Sequence, residues 1–218
     1  VNDELVIEKK GIYSVEKFLI ARRLMYWQVY RHKTVVASEN MLVKIIERAQ
    51  YLFQYQNKEI ATGGVMDYFL GKFDGQLASI DLKAFCDLDD TDILFAIKQW
   101  QHHADKVLSI LCTRFLNRQI FKCFMQSNPI EATQFALSSE QVKASFDIPE
   151  SDLSYLCFKG ETSNTMYRAN EETIKILLKS GEIANISEIQ NALINQSLSA
   201  PVKKFYICSL NDSSPKNH

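Results

Sequence analysis

Arg22, Tyr26 and Tyr30 stand at positions i, i+4 and i+8, with Lys33 three residues further on. On a helix these steps place side chains one above the other. A guanidinium, two phenols and an ammonium in one row suit a phosphate group, since Arg offers a planar two-pronged fork and Lys a compact point charge. The spacing is met equally by an arginine paired with a carboxylate from another helix, or by one whose stem runs past the core to put its head in water. Arg22 sits among Phe18, Leu19 and Met25. A guanidinium in apolar surroundings is costly unless it meets an anion or a full set of acceptors.

Three further clusters carry possible chemistry. Asp87, Asp89, Asp90 and Asp92 offer oxygen ligands for a hard cation. They lack the glycine and terminal glutamate of an EF-hand loop, and acidic residues before the apolar run Ile93–Trp100 are what a helix N-terminus favours. His102 and Asp105 are three apart, but two ligands do not make a zinc site, and Asp105 is placed to cap the helix that follows. Arg118 and Lys122 are four apart at the end of a helix expected over Lys106–Met125. There they present two cations side by side, either as a solvated basic edge favoured by the helix dipole or as an anion contact.

The element that must position the first row runs from Ser14 to Val36. Ser14 is a good N-cap, Glu16 lies in the first turn, and neither Gly nor Pro interrupts the stretch. Val15, Phe18, Leu19, Met25, Tyr26 and Val29 recur at helical steps and predict one apolar face. Val1–Lys10 reads as an extended lead-in. Val35–Gln56 continues as helix after a possible kink at Val36–Ser38, with a stripe of Met41, Leu42, Ile45, Ile46, Ala49, Leu52 and Phe53, and Gly63-Gly64 breaks it. Pro129 marks a boundary. Beyond it the pattern predicts a helix over Glu131–Phe146, a strand over Leu153–Phe158 and an extended piece at Met166–Arg168. Glu172–Ser180 fits a short helix or a buried strand. Ile186–Leu198 is expected to be helical in part, Val202–Leu210 a strand, and Asn211–His218 a disordered tail.

At 218 residues the chain can bury a proper core. Hydrophobic residues are 46% and charged ones 23%, an ordinary globular balance. A formal charge of −1 gives no global field to draw the chain to nucleic acid or a membrane surface, so any nucleotide site must be a local basic patch. Seven Gly and four Pro favour helix over a turn-rich β fold. Five cysteines without a C-x-x-C pair point to reduced thiols in a cytoplasmic setting rather than disulfides or zinc. No apolar run is long enough to span a bilayer.

The run from Phe18 to Thr34 resembles the long helix after the metal site in HD-superfamily phosphohydrolases, closest to bacterial proteins similar to deoxynucleoside triphosphate triphosphohydrolases. The pattern of Arg, seven residues, then Tyr-x-His-Lys is met by Arg22, Tyr30, His32 and Lys33. The resemblance covers roughly Leu5 to Met125. It implies that Arg22 and Tyr30 face the substrate's triphosphate and sugar, with Tyr26 on the same wall. It implies that His32 and Lys33, with Arg118 and Lys122, contact an effector nucleotide at a subunit interface, in a homo-oligomer. HD enzymes hold a divalent metal through a His, a His-Asp pair and a later Asp. This chain has only His32, His102, His103 and His218 and no His-Asp pair. With Val1 in place of Met, it reads as the C-terminal part of a longer enzyme whose metal, and the water it activates, lie elsewhere.

The expected fold is mainly α: a helical HD-type portion over residues 1–127, a small α+β subdomain over 128–210 and the tail 211–218. The expected function is substrate-phosphate and effector contacts for a metal-dependent nucleotide phosphohydrolase, the fragment alone being inactive and binding no metal. The alternative is a non-catalytic helical module that senses nucleotides or drives oligomerisation. A helical scaffold for a protein partner ranks last.

Overall fold

The computed structural model describes residues 5–55, 60–76, 80–164, 174–189 and 202–210. The expected extended piece at Met166–Arg168, most of the expected helix over Ile186–Leu198 and the tail lie outside them. The fold is mainly α with small sheets. The chain divides into two compact units, one of residues 1–32, 125–129 and 160–206, the other of residues 33–124, 130–159 and 207–218.

The first unit begins with a two-residue strand, β1 (Ile7–Glu8), and a tight turn over Lys9–Gly11 that leads directly into α1 (Ile12–Met25). The helix therefore starts two residues before Ser14, and Ser14 is not its cap. Gly11 holds the N-cap position with no side-chain bond, because the preceding turn already delivers helical backbone. The buried face of α1 is Ile12, Glu16 and Leu19; of the predicted stripe Leu19 and Val15 turn inward, while Phe18, Met25 and Val29 lie on the surface. Ile12 and Leu19 pack with Ile176 and Ile186, flanked by Ile7 and Val15. Ile176 lies in β4 (Lys175–Leu177), which pairs in parallel with β1 and antiparallel with β5 (Ile183–Asn185). This resolves the ambiguous segment around 175 as a strand. Gly181, at φ 89°, closes the β4–β5 turn in a conformation that favours glycine. Ile186–Glu188 is one short helical turn capped by Asn185.

The second unit is built on α2 (Lys33–Tyr55). Met41, Ile45, Ala49 and Leu52 are fully buried at helical steps, as their spacing predicts. Burying each of the larger ones contributes roughly 1.5–3 kcal/mol. Val107, Leu108, Leu111 and Cys112 of α6 (Lys106–Leu116) and Ala96, Ile97 and Trp100 of α5 (Asp90–Trp100) complete this core. Trp100 Nε1 donates to the Ile60 carbonyl at 2.9 Å. Short helices α3 (Met66–Gly71) and α4 (Leu82–Asp87) precede α5, and α7 (Ala132–Ser145) and the single turn α8 (Leu153–Leu156) follow α6. The expected strand over Leu153–Phe158 is thus a helical turn running into β3 (Cys157–Asn164), which continues six residues beyond Phe158. β3 joins a three-stranded sheet in the order β2-β6-β3, with β6 (Val202–Ser209) between it and β2 (Lys122–Gln126).

The acidic run is explained by capping. Asp89 accepts from the Thr91 and Asp92 amides, and Asp92 accepts from the Asp89 amide, a reciprocal box at the start of α5. Those N–H groups hold the Asp89 carboxyl below the usual range. Asp87 pairs with Lys83.

Candidate functional site

In the first unit, α1 passes without Gly or Pro into a π-helical segment, Tyr26–Tyr30. The Arg31 amide donates to the Tyr26 carbonyl, five residues back, at 2.6 Å. Such wide turns recur at functional sites. The sequence Tyr-Trp-Gln-Val-Tyr is poor in strong helix formers, which lowers the cost of leaving the α register. The helix then breaks at Arg31–His32 rather than at Val36–Ser38.

Arg22, Tyr26 and Tyr30 of the predicted row stay together through this change, while Lys33 falls beyond the break and opens α2. The Arg22 guanidinium lies 5.6 Å from the centre of the Tyr26 ring, and the Tyr26 and Tyr30 rings are 5.1 Å apart. Arg22 is half-buried and Tyr30 exposed. Cation–π contact fixes the guanidinium plane while leaving its N–H fork open to further acceptors. The apolar neighbours differ from expectation: Phe18 is 64% exposed, and Leu24, Met25 and Val29 are also on the surface. Arg22 therefore borders an exposed apolar face, not the core. Nearby, Lys204 sits over the Trp27 ring at 4.4 Å, a contact that no local spacing signalled.

In the second unit the structure corrects the Arg118/Lys122 pair. α6 ends at Leu116, so the two are not neighbours on a helix. The Gln119 amide bonds the Arg114 carbonyl at 2.8 Å and the Arg118 amide bonds Phe115 at 3.0 Å, closing the helix with Arg118 in a left-handed conformation, φ 58°. Glycine is usual at that position, and a side chain there costs about 1–2 kcal/mol. Helix propensity in Asn117–Phe121 gave no hint of this turn. Arg118 shares the wall of a cavity of about 440 Å3 with Thr34 and Ser38 from the first turns of α2, Leu94, Phe115 and Leu116. Lys33, which opens α2, is close enough to Cys123 for its charge to bear on that thiol. Lys122 precedes Cys123 in β2, so it points to the opposite face. The fold thus brings Arg118 to the start of α2, beside Thr34, and leaves Lys122 turned away. His32 is exposed in the first unit, its amide bonded to the Val29 carbonyl at 3.2 Å.

A charged centre that spacing did not single out is Arg48, 4% exposed in the middle of the α2 stripe. Its Nε and Nη2 donate to Asp105 at 3.1 and 2.6 Å, and its Nη1 and Nη2 to Asp152, both at 3.0 Å. The guanidinium lies against the Tyr51 and Tyr155 rings, at 5.3 and 5.1 Å. Asp105 also caps α6 through the Leu108 amide at 2.9 Å, as expected. Burial alone would raise the Asp105 carboxyl. The Arg48 and Leu108 bonds outweigh that and hold it below its ordinary range. All donors and acceptors here face one another, so the trio is architecture. Beyond it, a cavity of about 590 Å3 is lined by His102, His103, Gln99 and Phe95. His103 Nδ1 accepts from the Asp105 amide at 2.9 Å.

Among the described residues no group of three His, Cys, Asp or Glu is disposed to hold a metal ion. No helix among them is long and apolar enough to cross a membrane.

Residues 1–67 match the family described as the HD associated region, the stretch that carries the Arg22–Tyr26–Tyr30 row. A phosphohydrolase from Bacteroides thetaiotaomicron superposes with a TM-score of 0.80 at 40% identity, over 96% of this chain and 53% of that one. The likeness is thus to an HD associated region over residues 1–67 and to a phosphohydrolase over almost the whole of this chain. The chain is also 32% identical over 201 residues to the uncharacterized protein YwfO of Bacillus subtilis, 88% of this chain and 43% of that protein. A hypothetical protein from Aquifex aeolicus shares the fold, with a TM-score of 0.52 at 21% identity over 96% of this chain and 45% of that one. The chain spans about half the length of the relatives it matches.

Proposed function

We propose that these residues are the C-terminal part of a metal-dependent HD-type phosphohydrolase acting on deoxynucleoside triphosphates, in which Arg22, Tyr26 and Tyr30 contact the substrate. The observation that carries the reading is the stacked, half-open row of guanidinium and phenols inside the segment that matches the HD associated region. Arg22 would bind phosphate through two donors, and the phenols would take the sugar and hold the guanidinium in place. The divalent metal, and the hydrolytic water it activates, belong to residues outside this chain. The exposed apolar face of α1 supports a covering surface supplied by the rest of the parent.

Lys33 and Arg118 are the proposed contacts for an effector nucleotide, completed in a homo-oligomer. The strained Arg118 backbone and its place beside Thr34 favour Arg118 as the central member. The reading is tested by incubating the purified full-length parent and the 218-residue chain separately with deoxynucleoside triphosphates and a divalent cation. Release of phosphate or triphosphate by the parent alone is expected. Release by the chain alone, or by neither, would overturn it.

A further inference from the structure

Three of the five cysteines stand on the three adjacent strands of one sheet: Cys123 on β2, Cys208 on the central β6 and Cys157 on β3. Cys208 is fully buried and its thiol hydrogen-bonds to Cys123. Cys157 is buried too and held by Ser139 Oγ at 3.6 Å. Cys123 alone of the three reaches the surface in part. The geometry points to Cys123 and Cys208 as a reversible modification site, with Cys123 the thiol that reacts with a hydroperoxide and Cys208 the one that closes a disulfide onto it. This stands apart from the nucleotide reading.

The electrostatics agree with that division of labour. The Cys208 bond, and secondarily the Lys33 charge, bring the Cys123 thiol below its ordinary value against the opposing effect of burial. Donating that bond raises Cys208, and burial raises it further. A thiolate is the nucleophile, so the partly open, cation-flanked member reacts first. In the first step the Cys123 sulfur attacks one peroxide oxygen. An S–O bond forms, the O–O bond breaks, and the departing hydroxide takes a proton to leave as water. In the second, the Cys208 sulfur attacks the sulfenic sulfur. The S–S bond forms, the S–O bond breaks, and hydroxide leaves with the Cys208 proton as a second water. Two thiols lose two electrons and one hydrogen peroxide gains them.

The test treats the full chain with hydrogen peroxide, blocks remaining thiols, and maps non-reduced peptides by mass spectrometry. A Cys123–Cys208 linked peptide that dithiothreitol reverses is expected, and in Cys208→Ser a sulfenic acid at Cys123 trapped by dimedone. Oxidation of exposed Cys86 with Cys123 untouched would overturn the proposal, as would a Cys157–Cys208 link in its place. Should Cys208→Ser not fold, the pH profile of Cys123 alkylation in the unmodified chain decides. Its midpoint is expected below that of a free-cysteine peptide and should move up in Lys33→Gln. A midpoint at or above the peptide's contradicts the assignment.

Discussion

Replacing Arg48 with Met leaves Asp105 and Asp152 facing each other with no cation, in a site from which four hydrogen bonds of 2.6–3.1 Å have been removed. Breaking a buried ion pair by removing one partner costs about 3–5 kcal/mol, because the remaining charge stays desolvated. The Asp105 and Asp152 side chains keep 13% and 18% exposure, so water recovers part of that cost. The expected loss is then about 3 kcal/mol, equivalent to a fall of about 6–12 °C in Tm for a chain of this size. Acid dependence gives a second readout. A carboxyl held low in the folded chain, like Asp105, contributes stability above the unfolded carboxylate value of about 3.9 and loses it as pH falls through its lower folded value. The unaltered chain should therefore keep this contribution down to about pH 4 and lose it below. In Arg48→Met the two carboxylates repel, their protonation is favoured by folding, and the variant should gain stability as pH falls from 7 toward 5. Urea melts across pH 4–7 measure both. A loss under about 1 kcal/mol, or a variant whose stability falls with pH in the same way as the unaltered chain, would refute the reasoning.

Ile45→Ala removes a fully buried side chain at the centre of α2 and should cost about 2–5 kcal/mol in the same melts. Arg118→Gly relieves the left-handed strain and should stabilise the chain by about 1 kcal/mol while weakening effector binding to the parent, the latter read by calorimetry. A destabilised Arg118→Gly would show that the side chain holds the turn. By sedimentation the chain should self-associate as concentration rises, since α1 leaves Phe18, Leu24, Met25 and Val29 on the surface. A monomer throughout would speak against that.

What the sequence made legible were features with a fixed local period. The α2 stripe of Met41, Ile45, Ala49 and Leu52, the Asp89 and Asp105 caps and the Arg22–Tyr26–Tyr30 row all depend on neighbours three or four residues apart. Features set by partners far along the chain were hidden. The α1 stripe is legible only in Val15 and Leu19: Ile176 and Ile186, far along the chain, draw in Ile12 with Leu19 and leave Phe18 and Met25 on the surface. Arg48 finds its carboxylates 57 and 104 residues away. The break after Leu116 places an arginine where glycine is usual, so residue type pointed the wrong way. The π-helical segment carries no Gly or Pro to announce it.

The central claim is most directly tested by steady-state hydrolysis of a deoxynucleoside triphosphate by the full-length parent carrying Arg22→Gln. A charge-assisted bond to phosphate is worth about 1.5–3 kcal/mol, so kcat/KM should fall about ten- to a hundredfold with the fold intact by circular dichroism. An unchanged kcat/KM in a folded variant would contradict the assignment of Arg22 to the substrate.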